Sequence, residues 1–130
     1  IVASAHRTPG KVRDLVSSAE ERGVGAFISA AGAAAHLGGV IASYTTLPVI
    51  GVPINATPLN GMDALLSTVQ MPSGIPVATM AINGAKNAAI FAVEMFAISD
   101  ENLKKALKEY RAKMVEEVEA KAAKVAAQLN

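Results

Sequence analysis

A chain of 130 residues, 52% apolar and 18% charged, with a formal charge of +1 and no cysteine, has the length of one domain and is too apolar to be disordered. Without cysteine it has neither a disulfide framework nor a zinc ribbon. Nearly balanced charge provides no field for nucleic acid or an anionic membrane surface, so neither is expected as a partner.

The placement of charge says more than its total. Between residues 23 and 85 the only formal charge is Asp63, whereas more than half of all charged side chains lie from residue 100 onward. A membrane span requires roughly 18 consecutive apolar residues, and Pro48, Pro53, Pro58, Pro72 and Pro76 interrupt this stretch. It therefore reads as a buried sheet core. Its extent exceeds what one small core hides, which predicts burial against other subunits.

In chain order, Ile1–Ser4 reads as the end of a strand. Thr8 and Pro9 form an N-cap and N1 pair that opens a helix running to Arg22, with Gly23 as its stop. Residues 25–29 form a short apolar run, predicted as a buried strand. A Gly/Ala stretch, 30–35, leads into a helix over 36–44, and residues 47–52 form the next strand. A helix follows at 61–70, then a Pro/Gly loop at 71–76 and a last strand at 77–81. An apolar helix covers 85–98, and Ser99 caps a final polar helix. Strands alternating with helices predict parallel βαβ units in an α/β three-layer sandwich with a flavodoxin-like, or Rossmann-like, sheet. The α/β core is assigned to residues 1–98 and a C-terminal helical extension to 99–130.

In such sheets ligands sit beyond the carboxyl ends of the strands. Two segments qualify, residues 4–9 and residues 31–37, and each holds one of the two histidines, His6 and His36. A single loop histidine is more often structural than catalytic; two at equivalent strand ends shift that balance. Arg7 is either a surface ion-pair partner or a bidentate clamp on phosphate or carboxylate near a helix start. No GxGxxG, Walker A, HExxH, DxD or GxSxG pattern occurs, so neither a dinucleotide or ATP phosphate cradle, a metal site nor a hydrolase triad is nominated. Histidine remains as the group able to exchange protons at neutral pH.

Four segments carry a family resemblance: Ser4-Ala5-His6-Arg7-Thr8-Pro9, Ala31-Gly32 through Ala35-His36-Leu37, Leu47-Pro48-Val49-Ile50-Gly51-Val52-Pro53, and residues 69–79. They occur in the order seen in the catalytic subunit of phosphoribosylaminoimidazole carboxylase, and Arg7 and His36 resemble the class I branch, the N5-carboxyaminoimidazole ribonucleotide mutases of purine biosynthesis. The resemblance implies a homo-octamer with each active site at a subunit junction. It also implies a ribonucleotide substrate whose carboxylate moves to ring carbon 4 without metal, ATP or organic cofactor, by decarboxylation and recarboxylation. His6 is then the proton shuttle, Ser4 and Arg7 hold the phosphate, Ala5 contributes backbone contact, and Ala31, Gly32, Ala35, His36 and Leu37 line the base and carbon dioxide pocket.

Two departures from the family pattern stand out: Gly32-Ala33 in place of Gly-Gly, and Ser29-Ala30 in place of Ala-Gly. The family also carries a strand, a helix and a Gly-Ser-x-Ser-Asp loop ahead of the position where residue 1 falls, so a preceding segment is expected. Leu103, Leu107, Tyr110, Met114, Val118 and Val125 form a stripe on the last helix, either solvated or docked on a neighbouring subunit. No targeting segment is visible, which makes the cytoplasm the default location. The competing readings are direct carboxylation of aminoimidazole ribonucleotide by carbon dioxide, and a non-catalytic nucleotide-binding or assembly subunit. A synthetase that makes the unstable carbamate is a further expected partner.

Overall fold

The structure, a computed structural model, describes residues 1–129; the end of the extension assigned to 99–130, at Asn130, lies outside the described residues. The elements are α1 (Pro9–Ser17), β1 (Phe27–Gly32), α2 (Leu37–Tyr44), β2 (Val49–Ile54), α3 (Met62–Val69), β3 (Ala78–Thr79), α4 (Ala85–Ala97) and α5 (Glu101–Leu129). The three strands form one parallel sheet in the order β1-β2-β3, with Phe27 opposite Val49 and Ile50 opposite Ala78. Parallel neighbours joined through α2 and α3 make this a flavodoxin-like α/β fold.

β2 is the central strand and is buried on both faces: Val49, Ile50 and Val52 are all enclosed. Each such side chain contributes about 1.5–3 kcal/mol relative to exposure. A core cluster of Val12 and Val16 from α1, Ile41 and Ala42 from α2, and Val49 is flanked by Phe27, Leu37 and Val77. α3 closes on β2 where Gly51 has no side chain; a methyl there would strike the Thr68 Cγ2 and lie 3.0 Å from Val77 Cγ1. Glycine at that position is what lets helix and strand approach.

The chain divides into two compact units, Ile1–Ala92 and the part from Val93 onward, with the boundary inside α4. Within the second unit, Arg111 pairs with Glu94 at 2.6 Å. Met114, Val118 and Val125 of the predicted stripe are exposed on α5.

Several predicted boundaries move. Residues 1–4 join no strand ladder; Ile1 and Val2 are exposed, and the Val2 carbonyl accepts from Lys11 Nζ instead. α1 stops at Ser17 rather than Arg22, because a side chain takes the carbonyls that further helical turns would use. The Arg22 guanidinium donates to Leu15 O at 2.6 Å and Ser18 O at 3.2 Å. β1 runs to Gly32, three residues past the expected end, since pairing with β2 carries the alanines along. β2 is displaced to 49–54 and β3 shortens to two residues. The cap of α5 is Asp100, not Ser99: Asp100 Oδ1 accepts from the backbone N–H groups of Asn102 and Leu103 at 2.9 and 3.1 Å, the usual carboxylate N-cap.

Both departures from the family pattern have structural consequences. Ala33 adopts φ +54°, a left-handed conformation that costs an L-residue about 1–2 kcal/mol and that glycine adopts freely. Ser29 is 4% exposed, and its Oγ has no hydrogen-bond partner. An unpaired buried hydroxyl retains its desolvation penalty, so Ser29→Ala is expected to raise unfolding stability by about 1 kcal/mol. Urea unfolding of the two proteins side by side checks this, and a loss of stability would contradict it.

Candidate functional site

The turn after residue 3 is closed locally. Ser4 N–H donates to Thr8 Oγ1 at 2.8 Å, the Thr8 hydroxyl and N–H both donate to Ser4 O, at 3.1 and 3.0 Å, and Arg7 N–H donates to Ser4 Oγ at 3.2 Å. Thr8 occupies the N-cap position ahead of Pro9, but its side chain faces back to Ser4 rather than capping α1. These bonds make residues 4–8 a fixed platform from which His6 and Arg7 project, both exposed. The Arg7 guanidinium forms no ion pair among the described residues.

The second segment leaves β1 through Gly32 and the left-handed Ala33, and His36 takes the N-cap position of α2 with φ −82° and ψ −9°. Its ring forms no capping bond and reaches the other loop instead. His6 Nε2 and His36 Nδ1 lie 2.9 Å apart, with the rings edge to face at 5.0 Å and 86°. One proton serves the two nitrogens: if His6 Nε2 donates, His36 Nδ1 is the acceptor and its own proton sits on Nε2. A proton can pass along such a pair, and each ring orients the other.

A cavity of about 550 Å³ opens between the two segments, within the range of small-molecule sites. Of the residues named from sequence, Ser4, Ala5, His6, Arg7, Ala31, Gly32, His36 and Leu37 line it, and so do Thr8, Ala33 and Ala34. No acidic side chain is among the lining residues, and Arg7 is the fixed charge at its edge. Such a lining suits a phosphorylated or carboxylated ligand. Gly32 permits close packing below it, since a Cβ there would come within 2.7 Å of Ala56 Cβ.

Ala35 is placed differently. It is 2% exposed and turned away from the cavity, with its N–H donating to Ser67 Oγ at 2.9 Å. Ser67 escaped the sequence reading: it lies 32 residues from its partner, in the middle of a helix, where serine carries no local signal. A second, shallower groove of about 490 Å³ between α2 and α3 includes His36, Ser67 and Met71, so His36 stands between two openings. Among the described residues no helix is long and apolar enough to cross a membrane.

Comparison with known proteins agrees with the motifs. The AIR carboxylase family model matches residues 1–117. The chain is 54% identical over 121 residues to the N5-carboxyaminoimidazole ribonucleotide mutase of Pyrococcus horikoshii, covering 93% of this chain and 68% of that one. It is 56% identical over 113 residues to the mutase of Pyrococcus abyssi, covering 87% of this chain and 65% of that one. It is also 48% identical over 124 residues to the phosphoribosylaminoimidazole carboxylase of Candida glabrata, covering 95% of this chain but 22% of that one. The chain thus spans about two thirds of the length of the two Pyrococcus mutases.

Proposed function

The chain belongs to the AIR carboxylase family, and from that membership we propose that it converts N5-carboxyaminoimidazole ribonucleotide to 4-carboxy-5-aminoimidazole ribonucleotide, the mutase step of purine biosynthesis. The observation that carries the reading is the meeting of His6 and His36 at 2.9 Å over a cavity flanked by Arg7.

The reaction's proton balance suits that pair. Cleavage of the N5–carboxylate bond releases carbon dioxide and leaves N5 to gain a proton; attack of C4 on that carbon dioxide forms the new bond, and C4 then sheds a proton. One proton is delivered and one recovered, so a single imidazole at the reacting atoms returns to its starting state after each turnover. His6 fills this role. His36 holds its ring and, with Ala31, Gly32 and Leu37, lines the pocket that retains carbon dioxide between the two steps; apolar walls slow its escape to water. Ser4 and Arg7 receive the phosphate, with Ala5 supplying backbone contact.

Residues 1–98 serve as the catalytic core and 99–130 as a helical extension. The working form is a cytoplasmic homo-octamer with active sites at subunit junctions, supplied with its unstable substrate by a carbamate-forming synthetase. The apolar side chains exposed on and beside α3, Leu59, Met62, Leu66 and Val69, support burial between copies.

The test is to supply N5-carboxyaminoimidazole ribonucleotide to the purified protein in bicarbonate-depleted buffer and follow the 4-carboxy product by chromatography. Product formation there is the expected result. Product only from aminoimidazole ribonucleotide with added bicarbonate would replace the mutase by a direct carboxylase, and binding without product would leave a non-catalytic subunit.

A further inference from the structure

His36 must meet His6 from the end of a turn that contains a left-handed alanine, a conformation that persists only when its surroundings hold it. His6 stands on the locally bonded platform of residues 4–8, whereas the turn ahead of His36 is tied to another element of the fold. The cross-link is Ser67. Its Oγ accepts the buried N–H of Ala35 at 2.9 Å, the residue immediately before His36, and sits 3.4 Å from the Ala33 carbonyl. The Ser67 hydroxyl proton is directed to Asp63 O at 2.7 Å, one turn back in α3, which leaves a lone pair aimed at Ala35. The start of α3 is itself tied down, because the Thr57 hydroxyl donates to Asp63 Oδ2 at 2.8 Å.

We infer that Ser67 is a positioning residue for the reaction: from α3 it latches the Ala33–Ala35 turn and thereby sets the place of His36 against His6. The inference rests on the mutase reading for its catalytic consequence, but its structural half stands apart from that reading. Ser67 touches no substrate in this scheme. Its effect runs through the backbone of Ala35, and it falls on the proton-transfer step rather than on phosphate binding by Arg7.

The experiment compares the full chain with Ser67→Cys, which keeps the volume and offers a poor acceptor, and with Ser67→Thr, which keeps the hydroxyl. Thr68 in the same helix already bonds the carbonyl four residues back, at 2.7 Å to Ala64 O, so a threonine at 67 has a precedent for its hydroxyl geometry. For Ser67→Cys, kcat is expected to fall about tenfold while KM stays within roughly threefold, the pattern of a misplaced catalytic group. Its crystal structure should show the His6 to His36 separation opened beyond roughly 3.5 Å, past hydrogen-bond range. Ser67→Thr should retain both kcat and separation. An unmoved His36 in the Ser67→Cys structure, or an undiminished kcat in an active parent, overturns the proposal. If the parent itself shows no mutase turnover, the functional reading fails alone, and the crystallographic separation still decides whether Ser67 holds His36.

Discussion

Replacing His6 with asparagine is expected to abolish nearly all turnover while leaving ligand binding intact. Asparagine matches the Nδ1 edge of the ring but stops short of the Nε2 position that meets His36, and it neither gives up nor takes a proton at neutral pH. The reaction moves one proton to N5 and one from C4, so the loss should appear in kcat, at about 10²–10⁴-fold, the usual worth of a placed general acid and base. Substrate affinity should change little, because phosphate recognition is assigned to Ser4 and Arg7, on backbone bonds that do not involve the His6 ring. The check is single-turnover kinetics together with ligand titration by calorimetry. His6 is exposed, so its replacement should not disturb folding, and a circular dichroism melt separates the two effects. Retention of more than about a tenth of the parent kcat would remove His6 from the proton path.

The same loop shows how far residues alone carry such an argument. The order of elements was legible because proline and glycine punctuate the chain and apolar runs alternate with helical periodicity. Pro9 does stand at the start of α1, and the strands at 27–32 and 49–54 were foreseen within a few residues. Ends were harder to read. The stop of α1 at Ser17 depends on Arg22 reaching back four and seven residues to carbonyls, a side-chain bond that hydrophobic periodicity does not encode. The length of β1 depends on the ladder with β2, since alanine has little preference for a strand. At the site, both histidines were visible as chemistry at strand ends, but their meeting across 30 residues was not. Ser67 was invisible for the same reason: a hydroxyl inside a helix acquires meaning only when a distant N–H is brought against it.

Arg7 tests the other half of the site, and its effect should be opposite in kind to that of His6. The Ser4–Thr8 bonds fix its backbone, and its guanidinium has no ion-pair partner among the described residues, so the side chain carries no evident structural load. Arg7→Ala should therefore leave the melting temperature nearly unchanged. What it removes is a charge-assisted fork aimed at the phosphate; hydrogen bonds to charged groups are worth about 1.5–3 kcal/mol, roughly 10- to 150-fold in affinity. Because the phosphate is bound alike in substrate and transition state, the loss should raise KM by that factor and leave kcat close to the parent value. Arg7→Lys is expected to fall between the two, since it keeps the charge and loses the planar fork. Steady-state kinetics at two ionic strengths provides the check. The parent's KM should rise with salt as screening weakens the phosphate contact, and the alanine variant's should rise less. A large fall in kcat with unchanged KM would place Arg7 at the reacting carboxylate instead, where its contact would form only in the transition state, and the phosphate would then have to be held by other groups.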